Sequence, residues 1–353
     1  MAITFRAANT SDLPALVELF RARDGHAHAA AAVAGYVCNL DSNRCNAWLA
    51  FDGSRPVGMS MVYRRRVRVG GKDHVAGYWG NLFVLPEYRK KMVYPKLPLT
   101  MFRDSRALGI EFVFTCSRRG ESSSVHRALG CAELGKLPVL MKPLRPAALL
   151  AAHKRWPEPA RLVARAPDAL FGAGLRILAA PGKWRTNVEL LAPESRDLAG
   201  LLDLREANAG MRPHDRWTLE EYQERYSHSL EGDRYEVLAA RANERVVASV
   251  VWRPAVRQSM RLGVLMDLVC APGHERALRA VIARAELRAR SNGAQAMLHL
   301  DGGVAREALK RLGYIRSPET YLMLAFPHDF PEIQKGALDA QAWYFSFADH
   351  DAV

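Results

Sequence analysis

The stretch most able to do chemistry runs from Trp79 to Tyr94, Trp-Gly-Asn-Leu-Phe-Val-Leu-Pro-Glu-Tyr-Arg-Lys-Lys-Met-Val-Tyr. Its apolar first part reads as the end of a strand, Val75 to Val84, closed by Pro86. An apolar-periodic segment from Pro95 to about Leu108, stopped by Gly109, reads as a helix. Arg89, Lys90 and Lys91 stand in the loop between them. A helix start leaves backbone N–H groups without intrahelical partners, so a loop of free amides at that point is a site for an anion. His74, Glu87 and Glu111 have the right chemistry to take a proton from an amine, by residue type alone. Cys116, ending the strand Glu111–Cys116, is the cysteine placed for covalent work, although a buried apolar thiol is the plainer reading.

The elements that must position these groups follow a recognisable order. Residues 3–7 read as a strand, and Ser11-Asp12 offers a cap before the periodic Leu13, Leu16, Val17, Leu19 and Phe20. A helical, alanine-rich stretch near 26–39 leads to a hairpin, 47–51 and 56–63, turned at Asp52-Gly53. After the strand at 111–116 come a short helix, Ser122 to Leu129, the stop Gly130, and a strand around 138–141. Residues 142–184 are rich in proline and alanine and read as a linker. An amphipathic helix carrying Leu162, Val163, Leu170, Phe171, Leu175, Ile177 and Leu178 fits there, across the domain junction or on a membrane surface. The strand and helix order then repeats from Thr186 to Phe326, which predicts an internal duplication of architecture.

The Trp79–Arg89 stretch resembles the signature region of GNAT acyltransferases, in which V-x-P-x-Y-R precedes a phosphate-binding loop. Leu129-Gly130-Cys131 and Leu312-Gly313-Tyr314 resemble the L-G-F or L-G-Y triplet that follows the family's short helix. The resemblance implies an α/β fold of the α+β kind. It would comprise two tandem GNAT-like domains, each a mixed, mostly antiparallel sheet flanked by helices. Residues 1–144 would form the domain with the acyl-CoA site, 145–184 a partly helical linker, and 185–353 a second domain with a degenerate cofactor motif. It implies that Arg89, Lys90, Lys91, Met92, Val93 and Tyr94 hold the pyrophosphate of acetyl-CoA or another acyl-CoA, and that Leu82, Phe83 and Val84 lie against the pantetheine arm. The family's loop has glycine, then glycine or alanine, where this chain has Met92 and Tyr94; a bulky residue fits where its φ is negative. His126 takes the place of the family's tyrosine acid, and an imidazole titrating near neutrality is suited to protonating a leaving thiolate. The plainer reading is a surface helix histidine. The second half has Ala271-Pro-Gly-His-Glu275 where the loop would be, which implies that it holds no cofactor. Over nearly its whole length the chain is similar to a long bacterial type of GNAT protein, which makes Arg225, Asp267 and Asp349 acceptor-side candidates; structural ion pairs or helix caps are the alternative.

Composition bounds these readings. At 353 residues the chain suits two domains of about 150 residues. Its 49% hydrophobic and 25% charged residues are those of a globular protein. The longest apolar approach to a membrane span, Ala169 to Ala180, is short and broken by Arg176. The start lacks a secretory leader, and the five cysteines include no CxxC pair, so a cytoplasmic chain without a metal site is expected. The net charge of +13 admits an anionic partner: nucleic acid, lipid, or cofactor phosphates. The leading expectation is transfer of an acyl group, acetyl above all, to an amine of a small molecule such as an amino sugar or a biosynthetic intermediate. The alternatives are an aminoacyl-tRNA-dependent transferase of the Fem type, and a non-catalytic protein binding nucleic acid through Arg64–Lys72 and Arg118-Arg119.

Overall fold

Apolar alternation organises the chain around one sheet. The computed structural model describes residues 2–41, 44–118, 120–154, 167–170, 172–173, 187–192, 195–227, 235–257, 260–302, 305–336 and 338–349. Most of the amphipathic helix expected at 162–178 lies outside the described residues. The strands are β1 (Ile3–Ala7), β2 (Cys45–Asp52), β3 (Arg55–Val69), β4 (Lys72–Val84), β5 (Phe112–Ser117), β6 (Ala132–Pro143), β7 (Val188–Leu191), β8 (His214–Arg216), β9 (Glu236–Ala242), β10 (Arg245–Arg257), β11 (Met260–Cys270), β12 (Ala296–Leu300) and β13 (Ile315–Phe326). The described helices are α1 (Leu13–Asp24), α2 (Ala30–Tyr36), α3 (Val93–Ala107), α4 (Gly120–Ala128), α5 (Pro146–His153), α6 (Asp197–Ala209), α7 (Leu219–Ser227), α8 (Glu275–Ser291), α9 (Arg306–Arg311) and α10 (Pro331–Gln334).

The strands join into one sheet in the order β1-β2-β3-β4-β5-β13-β6-β12-β11-β10-β9-β7, with β8 added to the edge of β3. Its two ends repeat each other. From β1 to β5 the pairings are antiparallel three times and then parallel, and from β7 through β9, β10 and β11 to β12 they are the same. In the middle β13, the last strand of the chain, lies between β5 and β6, and β6 pairs with β12. Each repeat therefore hands its last strand to the other, and the sheet runs unbroken through both.

Local sequence explains the turns. Gly53 (φ +63°) closes the β2–β3 hairpin, and Asn243 and Glu244, both with positive φ, close β9–β10 in the mirror-type turn that suits a strand twist. Gly77 has no room for a side chain, since a Cβ there would come 2.4 Å from a methyl of Val62. Asp168, in the described part of the proline-rich region, accepts from the amides of Ala147 and Ala148 and so caps α5. The core forms two clusters, a larger one that includes Trp48, Trp79 and Trp343 and draws on strands from β2 to β13, and a second around Trp252, β10 and α8; all four tryptophans are fully buried.

Candidate acyl-transfer site

β4 and β5 lie side by side only from Ala76 to Tyr78, opposite Phe112 to Phe114. Beyond that point β5 follows β13, so among the described residues no strand lies on that side of β4 from Trp79 onward. Two parallel strands that part in this way open a wedge whose wall is free backbone N–H and C=O, a surface that an amide-bearing chain can match. Leu82 and Phe83 are half-buried along that wall and Val84 is buried at its end.

The head of α3 stands at the mouth of the wedge. Arg89 Nε donates to the carbonyl of Val84 over 3.2 Å, pinning the loop to the strand end. Lys91 lies over the ring of Tyr88, whose hydroxyl donates to Asp52. Met92 is the residue before the helix and has φ +59° and ψ +15°. The requirement for a negative φ is therefore corrected: this methionine adopts the left-handed turn that a glycine takes without strain. Its side chain is 59% exposed. Lys90 and Lys91 are exposed, Val93 is buried under the helix and Tyr94 is half-buried. Pro95 lacks an N–H altogether, so the amides available to an anion are concentrated at the first positions of the helix. Pro98 falls in the second turn, because the helix begins at Val93 rather than at Pro95.

His126 is neither on the surface nor ionised. It is 6% exposed, packs edge-on against Trp79 with centroids 4.4 Å apart, and has an Nδ1 with no hydrogen-bond partner. Burial pushes its pKa down to about 4, so at neutral pH the ring is uncharged and the imidazolium needed for the acid role is missing. Its place is part of an aromatic floor: Trp79 also meets Phe102 of α3, which stacks on Phe326 at 4.1 Å. Cys116 is buried beside Asp349, and burial raises its thiol well out of the reactive range. Of the groups considered as bases, His74 and Glu111 bond to each other at 2.8 Å at the opposite end of β4, and Glu87 pairs with Arg55 at the surface.

On the other face of the sheet a cleft of about 70 Å³ lies between α2 and α7, walled by Tyr36, Tyr63, Arg65, Trp217, Glu221 and Arg225 among others. Of the three acceptor-side candidates, only Arg225 reaches it. Asp267 and Asp349 are 2% and 1% exposed and belong to a buried ion cluster behind the cleft. Arg205 pairs there with Asp349 at 2.5 Å and with Asp267 at 3.4 Å, and Trp217 Nε1 donates to Asp349 at 3.3 Å. A lone guanidinium buried at that depth needs such partners, and both aspartates supply them. Sequence reading missed Asp215, Tyr36, Tyr63 and Asn81, because only the fold brings β8, α2, β3 and β4 together. The positive φ of Asn81 could have been suspected from an asparagine inside an apolar strand.

The second repeat parts its strands in the same way, since β11 and β12 pair only between Leu262–Leu265 and Ala296–His299. Here the end of the chain fills the space. Tyr344 donates its hydroxyl to the carbonyl of Leu268, beyond the last pair, and Gly302 lies so close to Phe345 that a Cβ would come 1.9 Å from its carbonyl oxygen. Among the described residues no cluster of His, Cys, Asp and Glu could hold a metal ion, and no helix is long and apolar enough to cross a membrane.

A family model for the acetyltransferase (GNAT) domain matches residues 4–130, the segment that carries β1 to β5 and the α3 loop. Residues 4–130 thus match a GNAT acetyltransferase domain, and the overall fold is that of solved GNAT proteins. N-myristoyltransferase of Saccharomyces cerevisiae with bound myristoyl-CoA superposes with a TM-score of 0.65 at 12% identity, over 92% of this chain and 82% of the yeast one. A GCN5-related N-acetyltransferase of Anabaena variabilis gives 0.60 at 9%, over 93% and 73%. One from Kribbella flavida gives 0.57 at 15%, over 92% and 70%. No curated protein sequence matches the chain significantly.

Proposed function

We propose that this protein transfers an acyl group, acetyl first among the candidates, from acyl-CoA to an amine of a small molecule. The observation that carries the reading is the parting of β4 from β5 directly above the left-handed turn at Met92 and the head of α3. The exposed Arg89, Lys90 and Lys91 and the amides at the helix start fit a pyrophosphate. The free edge of Trp79–Val84 fits the pantetheine arm. Acyl-CoA brings the activated thioester. The chain's own residues hold it in line with the amine and offer strand amides to the oxygen that gains charge. The amine enters from the opposite face, through the cleft lined by Tyr36, Tyr63, Trp217 and Arg225. We read the two repeats as tandem GNAT-like domains in which only the first takes cofactor, the second cleft being filled by Tyr344 and Phe345.

Thermal unfolding with and without acetyl-CoA tests this, because a ligand that binds only the folded chain stabilises it, by ~2.7 kcal/mol at a hundredfold excess over Kd, and so raises the midpoint. The expected result is a saturable rise with acetyl-CoA, reduced in Arg89→Ala. A flat response to every thioester together with a rise on adding bulk tRNA would replace the reading with the aminoacyl-tRNA-dependent one.

A further inference from the structure

Asn81 stands inside the long strand β4, yet its φ is +54°. The pairing explains the kink: Met59 faces Phe83 and Met61 faces Gly80, so Asn81 and Leu82 together stand opposite Ser60 alone. That is a bulge, one residue more on β4 than on β3, and it lies just past the point where β5 leaves. A left-handed residue in a strand is unfavourable by ~1 kcal/mol and persists only where its surroundings hold it.

The surroundings here are well defined. The side-chain oxygen of Asn81 accepts from Arg23 at 2.5 Å, and its nitrogen donates to Tyr63 at 2.9 Å and approaches the Tyr36 hydroxyl at 3.4 Å. Arg23 is gripped by both oxygens of Asp24, at 2.7 and 2.8 Å, and Asp24 is bonded to His28 at 2.8 Å. The guanidinium of Arg23 also lies over the ring of Phe20 at 4.5 Å, which fixes it to α1. Tyr36 and Tyr63 are walls of the amine cleft. One amide group therefore touches α1, α2 and β3 at once, and joins the cleft on one face to the free strand edge on the other.

We propose that Asn81 is a positioning residue for acyl transfer, its side chain locking the β4 bulge so that the strand amides meet the thioester while Tyr36 and Tyr63 align the amine. The inference rests on the acyl-CoA reading above. Asn81→Gly keeps the left-handed backbone and removes the side-chain contacts to Arg23, Tyr63 and Tyr36 together with one to Met61 Sδ, while Tyr63→Phe removes the Tyr63 contact and leaves Asn81 in place. Both are compared with the full-length wild type by calorimetric titration of acetyl-CoA and by thiol release from acetyl-CoA with butylamine or water as acceptor. The expected result is acetyl-CoA affinity within about twofold of wild type, kcat lower by about tenfold or more in Asn81→Gly, and a smaller loss in Tyr63→Phe. Unchanged kcat in both variants overturns the proposal, as does a loss confined to acetyl-CoA affinity, which would make the bulge part of the cofactor seat. Should Asn81→Gly fail to fold, the kcat of Tyr63→Phe decides alone. Wild-type protein that binds no acetyl-CoA overturns the acyltransferase reading itself and this role with it.

Discussion

Met92 holds its backbone at φ +59° without a capping hydrogen bond, and its side chain gains little in return, being 59% exposed. Glycine adopts this turn freely, so Met92→Gly should raise stability by about 0.5–1 kcal/mol even after allowing for glycine's greater freedom when unfolded. Urea unfolding checks this, and a drop in the midpoint would mean that the methionine packs better than its exposure indicates. At this scale sequence reading had mixed success. The basic loop and its helix were legible because a proline-closed strand, a run of cations and an apolar-periodic segment are all local signals. The role of His126 was not, because whether a helix histidine faces water or Trp79 depends on what packs above it.

Among the elements, the C-terminal segment has the largest unforeseen part. It lies against β11 and β12, with Trp343, Tyr344 and Phe345 wholly buried. Its fit depends on Gly302, where a Cβ would stand 1.9 Å from the Phe345 carbonyl. A backbone clash of that kind cannot be relieved by rotating a side chain, so Gly302→Ala should cost about 3 kcal/mol or more. Denaturant unfolding of the purified variant measures it; a loss under about 1 kcal/mol would show that the tail can lift away and the second cleft can open. Most of the strands were legible, since alternation and turn residues are local, although β6 runs well beyond the expected 138–141. Their partners were not: β6 and β13 are ordinary apolar strands, and nothing in either says that each lies beside the other repeat.

At the scale of the molecule, one buried cluster ties the parts together. Arg205 of α6, Asp267 of β11, Asp349 of the tail and Asp215 of β8 meet there, with Arg65 of β3 at 3.9 Å from Asp215. Asp215 is 2% exposed and neither oxygen has a hydrogen-bond partner. Burial first, and then the charge of Asp349, push its pKa up to about 8; burial pushes Asp267 up to about 6. The folded chain therefore keeps a proton on Asp215 that the unfolded chain has released above about pH 4. Stability drawn from that proton is complete at low pH and falls as pH rises through about 8. Asp215→Asn should flatten that decline and leave the variant more stable than wild type above pH 8, as read from urea midpoints across pH. Parallel curves for the two proteins would show that Asp215 ionises freely in the fold.

By itself the sequence determined most of the order of elements and the position of the basic loop before α3, because periodicity, turn residues and helix starts are written within a few residues of one another. Only the tertiary structure decided that β13 enters between β5 and β6, that Tyr344 fills the second cleft, and that Asp267 and Asp349 turn inward to Arg205. It also placed Asn81 between Arg23, Tyr63 and Tyr36. These are contacts between residues far apart in the chain, set by which surfaces must be buried together, and no local pattern encodes them.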